Sequence, residues 1–287
     1  MTEHIRPIDP NPDEARRPKV RAPAGATDCH FHIFGDPKKY PLSPHRMYEP
    51  ADASVERYLR MANTIGIERV VVVNGSPYGS DNRCIIDAIQ EFGLNRARGV
   101  AVIEPDISAA ALQALYIGGI RGIRINLITG RTPISALPSI VELIKPLDMH
   151  LQLWVKSDRL EEISKTLRHI EVPVVLDHMG QVPTSYGTDH EHFRTLIGML
   201  ETGKLWVKMS GYRISSGPPY DDLLKPVSKI LSVAPDRCVW GTDWPHPLLD
   251  GRAMPNDGDL LDLLASWCSP EQFKAVLVDN PARLYGF

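Results

Sequence analysis

The chain has 287 residues, 43% of them apolar and 23% charged, which is the balance of a globular protein able to bury a large core without disulfides or a structural metal. A formal net charge of −3 and the lack of any Lys/Arg-rich run exclude an electrostatic case for a nucleic-acid partner. No stretch offers the roughly 18 consecutive apolar residues of a membrane span.

Residues 1–25 are polar and rich in proline, with no apolar signal core, and are expected to form an extended, loosely held arm before a domain that runs from 26 to 287. Short apolar runs then recur at Thr27–Phe34, Arg69–Asn74, Arg98–Ile103, Gly122–Asn126, His150–Val155, Val172–His178, Leu205–Ser210 and Cys238–Trp244. Several are continuous rather than alternating, as strands buried on both faces of a parallel sheet should be. Helical spacing fills the intervals. It covers about 54–64, a segment starting at Ser80–Asp81 as N-cap, then 108–117, 134–146, 159–168, 191–201, 221–231, 260–266 and a closing 270–284. Eight strand–helix alternations predict a single (β/α)8 TIM barrel over an open doubly wound sheet. Long segments follow the first strand (35–52) and the last (245–258), and the first should fold over the catalytic mouth. The four cysteines, Cys29, Cys84, Cys238 and Cys268, form no C-x-x-C pair, and Cys29 and Cys238 are expected to pack as small hydrophobes in a reducing, cytoplasmic setting.

Three segments carry chemistry. In Asp28-Cys29-His30-Phe31-His32, strand alternation puts His30 and His32 on one face and Cys29 and Phe31 on the other. A lone histidine is more often a satisfied core residue, but two imidazoles one pleat apart inside a barrel can hold a metal or polarise a carbonyl. His178 ends the sixth run, with Asp177 expected on the opposite face against backbone or a helix. Asp243, in Trp240-Gly241-Thr242-Asp243-Trp244-Pro245-His246, ends the eighth, where a carboxylate would face the histidines as base or ligand, with His246 in reach of substrate.

H-x-H on strand one, His on strand six and Asp on strand eight resemble the amidohydrolase superfamily, in its amidohydrolase-related branch, from Thr27 to Phe287. TDCHFHIFG, GSDNR, GIRGIRIN, LDHMG and VWGTDWPHP look closest to its lactonases, which open small carboxylated lactones of the 2-pyrone-4,6-dicarboxylate kind in aromatic or sugar-acid catabolism. The resemblance implies that Asp243 activates water while His30, His32 and His178 polarise the lactone carbonyl. It also implies that Arg124, Arg131 and Arg213 grip the substrate's carboxylates. Trp154 stands where those lactonases place a tyrosine hydroxyl, which puts the substrate's identity in question. Binuclear members carry a lysine on strand four and a histidine at the end of strand five; Gly122–Asn126 and Leu153–Val155 supply neither, which argues against two metals. Either no cofactor or one Zn2+ or Mn2+ on His30, His32, His178 and Asp243 is consistent with the resemblance. A metal-dependent decarboxylase on the same barrel is the alternative, distinguished by essential bound metal and CO2 release. A small-molecule binder without chemistry is the other, and it would be expected to lack one of the four inward polar residues.

Overall fold

A computed structural model of the chain describes residue 12 and residues 14–128 and 132–287. Eight strands lie in sequence order, each pair parallel: β1 (Thr27–Phe31), β2 (Arg69–Val73), β3 (Ala97–Ala101), β4 (Ile120–Asn126), β5 (His150–Trp154), β6 (Val174–Leu176), β7 (Leu205–Lys208) and β8 (Cys238–Val239). Helices alternate with them: α1 (Val55–Ile65), α2 (Arg83–Phe92), α3 (Ala109–Ile117), α4 (Leu137–Ile144), α5 (Leu160–Leu167), α6 (Glu191–Glu201), α7 (Leu224–Val233) and α8 (Asp257–Trp267). The closing segment predicted as one helix is α9 (Pro270–Lys274), a π-turn over Ala275–Asp279, and α10 (Asn280–Tyr285). No helix among the described residues is long and apolar enough to cross a membrane. This is the expected (β/α)8 barrel.

β8 is too short to form a ladder with β1, so the barrel closes through single bonds. Cys29 N donates to Trp240 O at 2.8 Å, Asp243 N to His30 O at 2.7 Å, and His32 N to Trp244 O at 2.8 Å. The Asp28 carboxylate completes the seam: it accepts from the Thr242 backbone N (3.0 Å), the Thr242 hydroxyl (2.6 Å), the His30 backbone N (3.0 Å) and the Tyr58 hydroxyl (3.0 Å). Only glycine fits at 241, because a Cβ there would lie 2.6 Å from both the backbone N and the Cβ of His30. Outside the barrel Phe31 stacks on Tyr58 of α1, ring centroids 3.6 Å apart, a contact worth about 0.5–1.5 kcal/mol beyond the area it buries.

Several boundaries differ from the sequence reading. α2 starts one or two residues late, with Asn82 rather than Ser80 or Asp81 at the N-cap and no side-chain cap bond; Asp81 instead accepts from the Arg83 backbone. Strands β1, β6, β7 and β8 stop short, so His32, His178 and Asp243 sit just beyond strand ends. The described part of the arm is not loose: Arg16 N donates to Asn256 (2.9 Å), Lys19 N to Asp262 (2.8 Å), and Gly25 N to Glu68 (2.7 Å). A Cβ on Gly258 would meet the Arg16 carbonyl oxygen at 1.9 Å, so the arm packs on α8 because that position has no side chain.

The register of β1 against β2 shifts between Asp28 and Phe31. That irregularity breaks the expected alternation, since Cys29 joins Val71, Val73, Val100, Val175, Trp206, Val239 and Tyr285 in the inner cluster while Phe31 faces the helices. Both Cys29 and Cys238 are fully buried, and no cysteine is bridged. Replacing Asp28 with Asn turns one acceptor oxygen into a donor facing donors. The expected result is a loss of about 2–4 kcal/mol, read as a lower urea midpoint at unchanged m-value; an unshifted midpoint would remove Asp28 from the closure of the barrel.

Candidate active site

The four residues singled out from the sequence converge. His30 Nε2 and His32 Nε2 each lie 3.6 Å from Asp243 Oδ1, and His178 Nε2 lies 4.0 Å from Asp243 Oδ2. The His30 ring centroid is 5.1 Å from that of His32 and 4.9 Å from that of His178. All four side chains are buried. The chain brings them inward by leaving regular strand geometry: His178 (φ 49°) and Asp243 (φ 63°) are left-handed, a conformation that costs a non-glycine residue about 1–3 kcal/mol and clusters at functional sites.

Each ring is oriented by a partner. His32 Nδ1 faces the Val73 carbonyl at 2.8 Å, His178 Nδ1 the Ser210 hydroxyl at 2.9 Å, and His30 Nδ1 the Lys208 ammonium at 3.2 Å. Burial, aided by Lys208, pushes His30 well below the usual imidazole range, and burial brings His178 down to about 4, so both rings are neutral at neutral pH. Burial alone would raise the Asp243 carboxyl, but the Arg213 guanidinium and the imidazoles outweigh it and hold the group ionised, well below the usual carboxylate range. Asp243 Oδ2 also accepts from the Tyr212 hydroxyl at 2.7 Å.

Other expected residues fall differently. Arg213 does not reach outward from the barrel; its Nε pairs with Asp243 Oδ2 and its Nη2 donates to the Pro247 carbonyl at 2.6 Å. Its loop is tied by Asp222, which accepts from Ser215, Ser216 and Thr184; burial opposes ionisation of Asp222, but these bonds hold it down to about 2. Arg124 is buried, its Nε 2.9 Å from Asp177 Oδ2 and its guanidinium 5.0 Å from the Trp154 ring centroid. Trp154 thus backs the Arg124 guanidinium, and its indole nitrogen is buried without a hydrogen-bond partner. His246 is fully buried, 3.1 Å from Asp257 and against the ring of Tyr212, whose hydroxyl donates to Asp243. Arg131 lies outside the described residues.

Asp177 corrects the alternation argument. β6 ends at Leu176, and Asp177–Gln181 turns sharply with His178, Met179 and Gly180 left-handed, so Asp177 and His178 both point inward. Asp177 joins a polar layer beneath the histidines: its Oδ1 accepts from Gln152 Nε2 at 2.8 Å, and Lys208 Nζ donates to Gln152 Oε1 and the Cys29 carbonyl, each at 2.8 Å. Burial brings the Lys208 ammonium down to about 8. The sequence reading missed Lys208, Gln152, Asp28 and Tyr212. The signal for Lys208 was available: Leu-Trp-Val-Lys-Met-Ser puts a charge inside a strand buried on both faces, where an unpaired lysine is almost never found.

A cavity of about 280 Å3 opens beside this cluster at the carboxyl ends of β2–β4, lined by His45, Asn74, Ser76, Arg124 and Asn126 among others. Tyr48, from the loop after β1, is buried within range of the charges of Arg124, Arg213 and Asp243, so that loop does cover the mouth. A larger cavity, about 510 Å3, lies between α5 and α6 and touches none of the clustered polar groups; the chemistry, not the volume, selects the site. His30, His178 and Asp243 offer ligand atoms within 4.8 Å of one another. His30 Nε2 and Asp243 Oδ1 are buried without hydrogen-bond partners, so the donor set fits one divalent cation in composition.

Known proteins resemble this chain over most of its length. The amidohydrolase family model (Amidohydro_2) matches residues 27–287. The 4-sulfomuconolactone hydrolase of Hydrogenophaga intermedia is 36% identical over 272 residues, covering 92% of this chain and 89% of that one. The 2-pyrone-4,6-dicarboxylate hydrolase of Comamonas testosteroni is 36% identical over 284 residues, covering 94% and 92%. A ligand-free crystal structure from Agrobacterium tumefaciens superposes with a TM-score of 0.85 at 28% identity, covering 94% and 98%. The chain belongs to the amidohydrolase family.

Proposed function

We propose that this protein hydrolyses the ring ester of a small carboxylated lactone of the 2-pyrone-4,6-dicarboxylate kind. The observation that carries this reading is Asp243 Oδ1: an ionised, buried carboxylate oxygen without a hydrogen-bond partner, equidistant from two imidazole nitrogens. Relatives that act on such lactones, alike over nine-tenths of the chain, supply the substrate class.

His32 Nδ1 faces a carbonyl, which only accepts, so the ring carries a proton there and, in its uncharged form, presents a lone pair on Nε2. A water between Asp243 and His32 can donate a hydrogen to each. As its oxygen attacks the lactone carbonyl, Asp243 takes one proton. Hydrogen bonds from His30 and His178 stabilise the tetrahedral oxyanion, the group of contacts with most effect on rate. When the intermediate collapses, the ring C–O bond breaks and Asp243 returns the proton to the leaving oxygen. Water has been added and Asp243 regenerated.

Arg213, Arg124 and Arg131 are the cations for the substrate's acid groups. In the ligand-free protein Arg213 already neutralises Asp243; a substrate carboxylate that draws the guanidinium toward itself frees the base it is about to use. One divalent cation, Zn2+ or Mn2+, held by His30, His178 and Asp243 would act as a Lewis acid toward the carbonyl oxygen and acidify its water. The side-chain roles above stand without it, because Arg213 and Lys208 already place positive charge on Asp243 and beside His30.

Asp243→Asn is expected to lower kcat on a dicarboxylated lactone by about 10^2–10^4-fold, the usual contribution of a general base; near-normal turnover, followed by ring absorbance, would remove Asp243 from this role. Arg213→Met is expected to raise KM about 10–100-fold, the cost of one charge-assisted bond, while an unchanged KM would place the carboxylate elsewhere. Prolonged dialysis against a chelator, with metal content followed by elemental analysis, is expected to leave lactone turnover within about twofold. Loss of activity restored by Zn2+, above all with CO2 release, would favour the decarboxylase.

A further inference from the structure

Lys208 is fully buried on β7 beneath the site. Its Nζ has three close polar neighbours: the Cys29 carbonyl at 2.8 Å, Gln152 Oε1 at 2.8 Å and His30 Nδ1 at 3.2 Å. An ammonium carries three hydrogens and no lone pair, so all three neighbours must accept. A carbonyl can only accept. Gln152 is oriented by its other end, since its Nε2 donates to the Asp177 carboxylate at 2.8 Å and so leaves Oε1 for the lysine. The third hydrogen goes to His30, and Nδ1 can accept it only with its lone pair.

We propose that Lys208 is a positioning residue that fixes the proton of the neutral His30 ring on Nε2, so that His30 faces the site as a hydrogen-bond donor. The competing arrangement puts the proton on Nδ1, 3.3 Å from Asp177 Oδ1. Asp177 could accept it, since each of its oxygens has a lone pair beyond the bonds from Gln152 and Arg124. What opposes it is the ammonium, whose third hydrogen would then face an N–H.

His32 is the mirror case, its Nδ1 proton taken by the Val73 carbonyl. Two imidazoles whose Nε2 atoms lie at the same 3.6 Å from Asp243 Oδ1 therefore present opposite functions, His30 a donor and His32 an acceptor. In the lactone reading, on which only the kinetic consequence rests, His30 is the donor to the carbonyl oxygen and His32 an acceptor for the water. His30 Nε2 can ligate a metal only by giving up that proton.

The test labels histidine with 15N and records long-range proton–nitrogen correlations at pH 7, with His30 assigned from the spectrum of His30→Gln. The unmodified protein is expected to show His30 protonated at Nε2 and bare at Nδ1, and His32 the reverse. Lys208→Met keeps the aliphatic length without the ammonium. It is expected to move the His30 proton to Nδ1, toward Asp177, and to lower kcat on the lactone about 100-fold with KM changed less than about threefold. A proton on Nδ1 in the unmodified protein, or one that stays on Nε2 in Lys208→Met, would overturn the proposal. Should Lys208→Met fail to fold, the unmodified spectrum still decides. Should no lactone be turned over, the spectrum decides independently, so failure of the substrate reading and failure of the tautomer assignment are told apart.

Discussion

The site depends on how the first and last strands of the barrel are joined. β8 contributes two residues of ladder to β7 and none to β1, so the seam rests on three backbone bonds, the Asp28 carboxylate and a glycine at 241. Those contacts fall on the working residues themselves or next to them: the seam uses the His30 carbonyl and the His32 and Asp243 amides, with Thr242 beside Asp243. Closing the barrel and bringing His30 and His32 against Asp243 are therefore one event. Burial raises the Asp28 carboxyl to about 6, and the bonds from Thr242, His30 and Tyr58 keep it from rising further. A carboxylate accepting from four donors is the price of a seam with so little ladder.

Charge balance is the second constraint. Asp28, Asp177 and Asp243 are buried anions, and Arg124, Lys208 and Arg213 lie among them. An isolated ion at this depth would cost several kcal/mol, and breaking one buried pair about 3–5 kcal/mol. Each arginine is accordingly spent first on a carboxylate. That changes what the arginines mean: Arg124 and Arg213 are parts of the buried electrostatic structure first, and on the proposed reading a substrate carboxylate must compete for them.

The fold was legible in the sequence because eight apolar runs alternating with helical spacing admit few architectures, and the four residues at strand ends were legible because such positions converge in a barrel. The side-chain directions were not. Strict alternation failed at Cys29, where the β1 register shifts, and at Asp177, where the strand ends and the chain turns left-handed. The partners of Arg213 and His246 were unreadable for a different reason. Each is chosen by a residue about 30 or 11 positions away in the chain, Asp243 and Asp257, through loops that carry no periodic signal. Lys208 was readable in principle, as a charge in an apolar strand, but its partners come from β1 and β5 and appear only once the barrel is closed.

On the proposed reading, loop residues such as Tyr48 and Arg213 supply the cover and a cation for the substrate, while the proton positions are set deeper, on the strands. Val73 ends β2, Gln152 lies within β5 and Lys208 ends β7; each of these strands is paired with a neighbouring strand on both sides. A donor fixed to a strand keeps its direction when a loop moves, and oxyanion stabilisation depends on donors aimed in advance at where charge will develop. A loop residue can afford to trade partners, as Arg213 must if it is to pass from Asp243 to a substrate. A residue that sets which nitrogen of an imidazole carries the proton cannot, because the wrong tautomer meets the carbonyl oxygen with a lone pair. The division between rigid strands and exchangeable loops thus follows from what each group must do in the reaction.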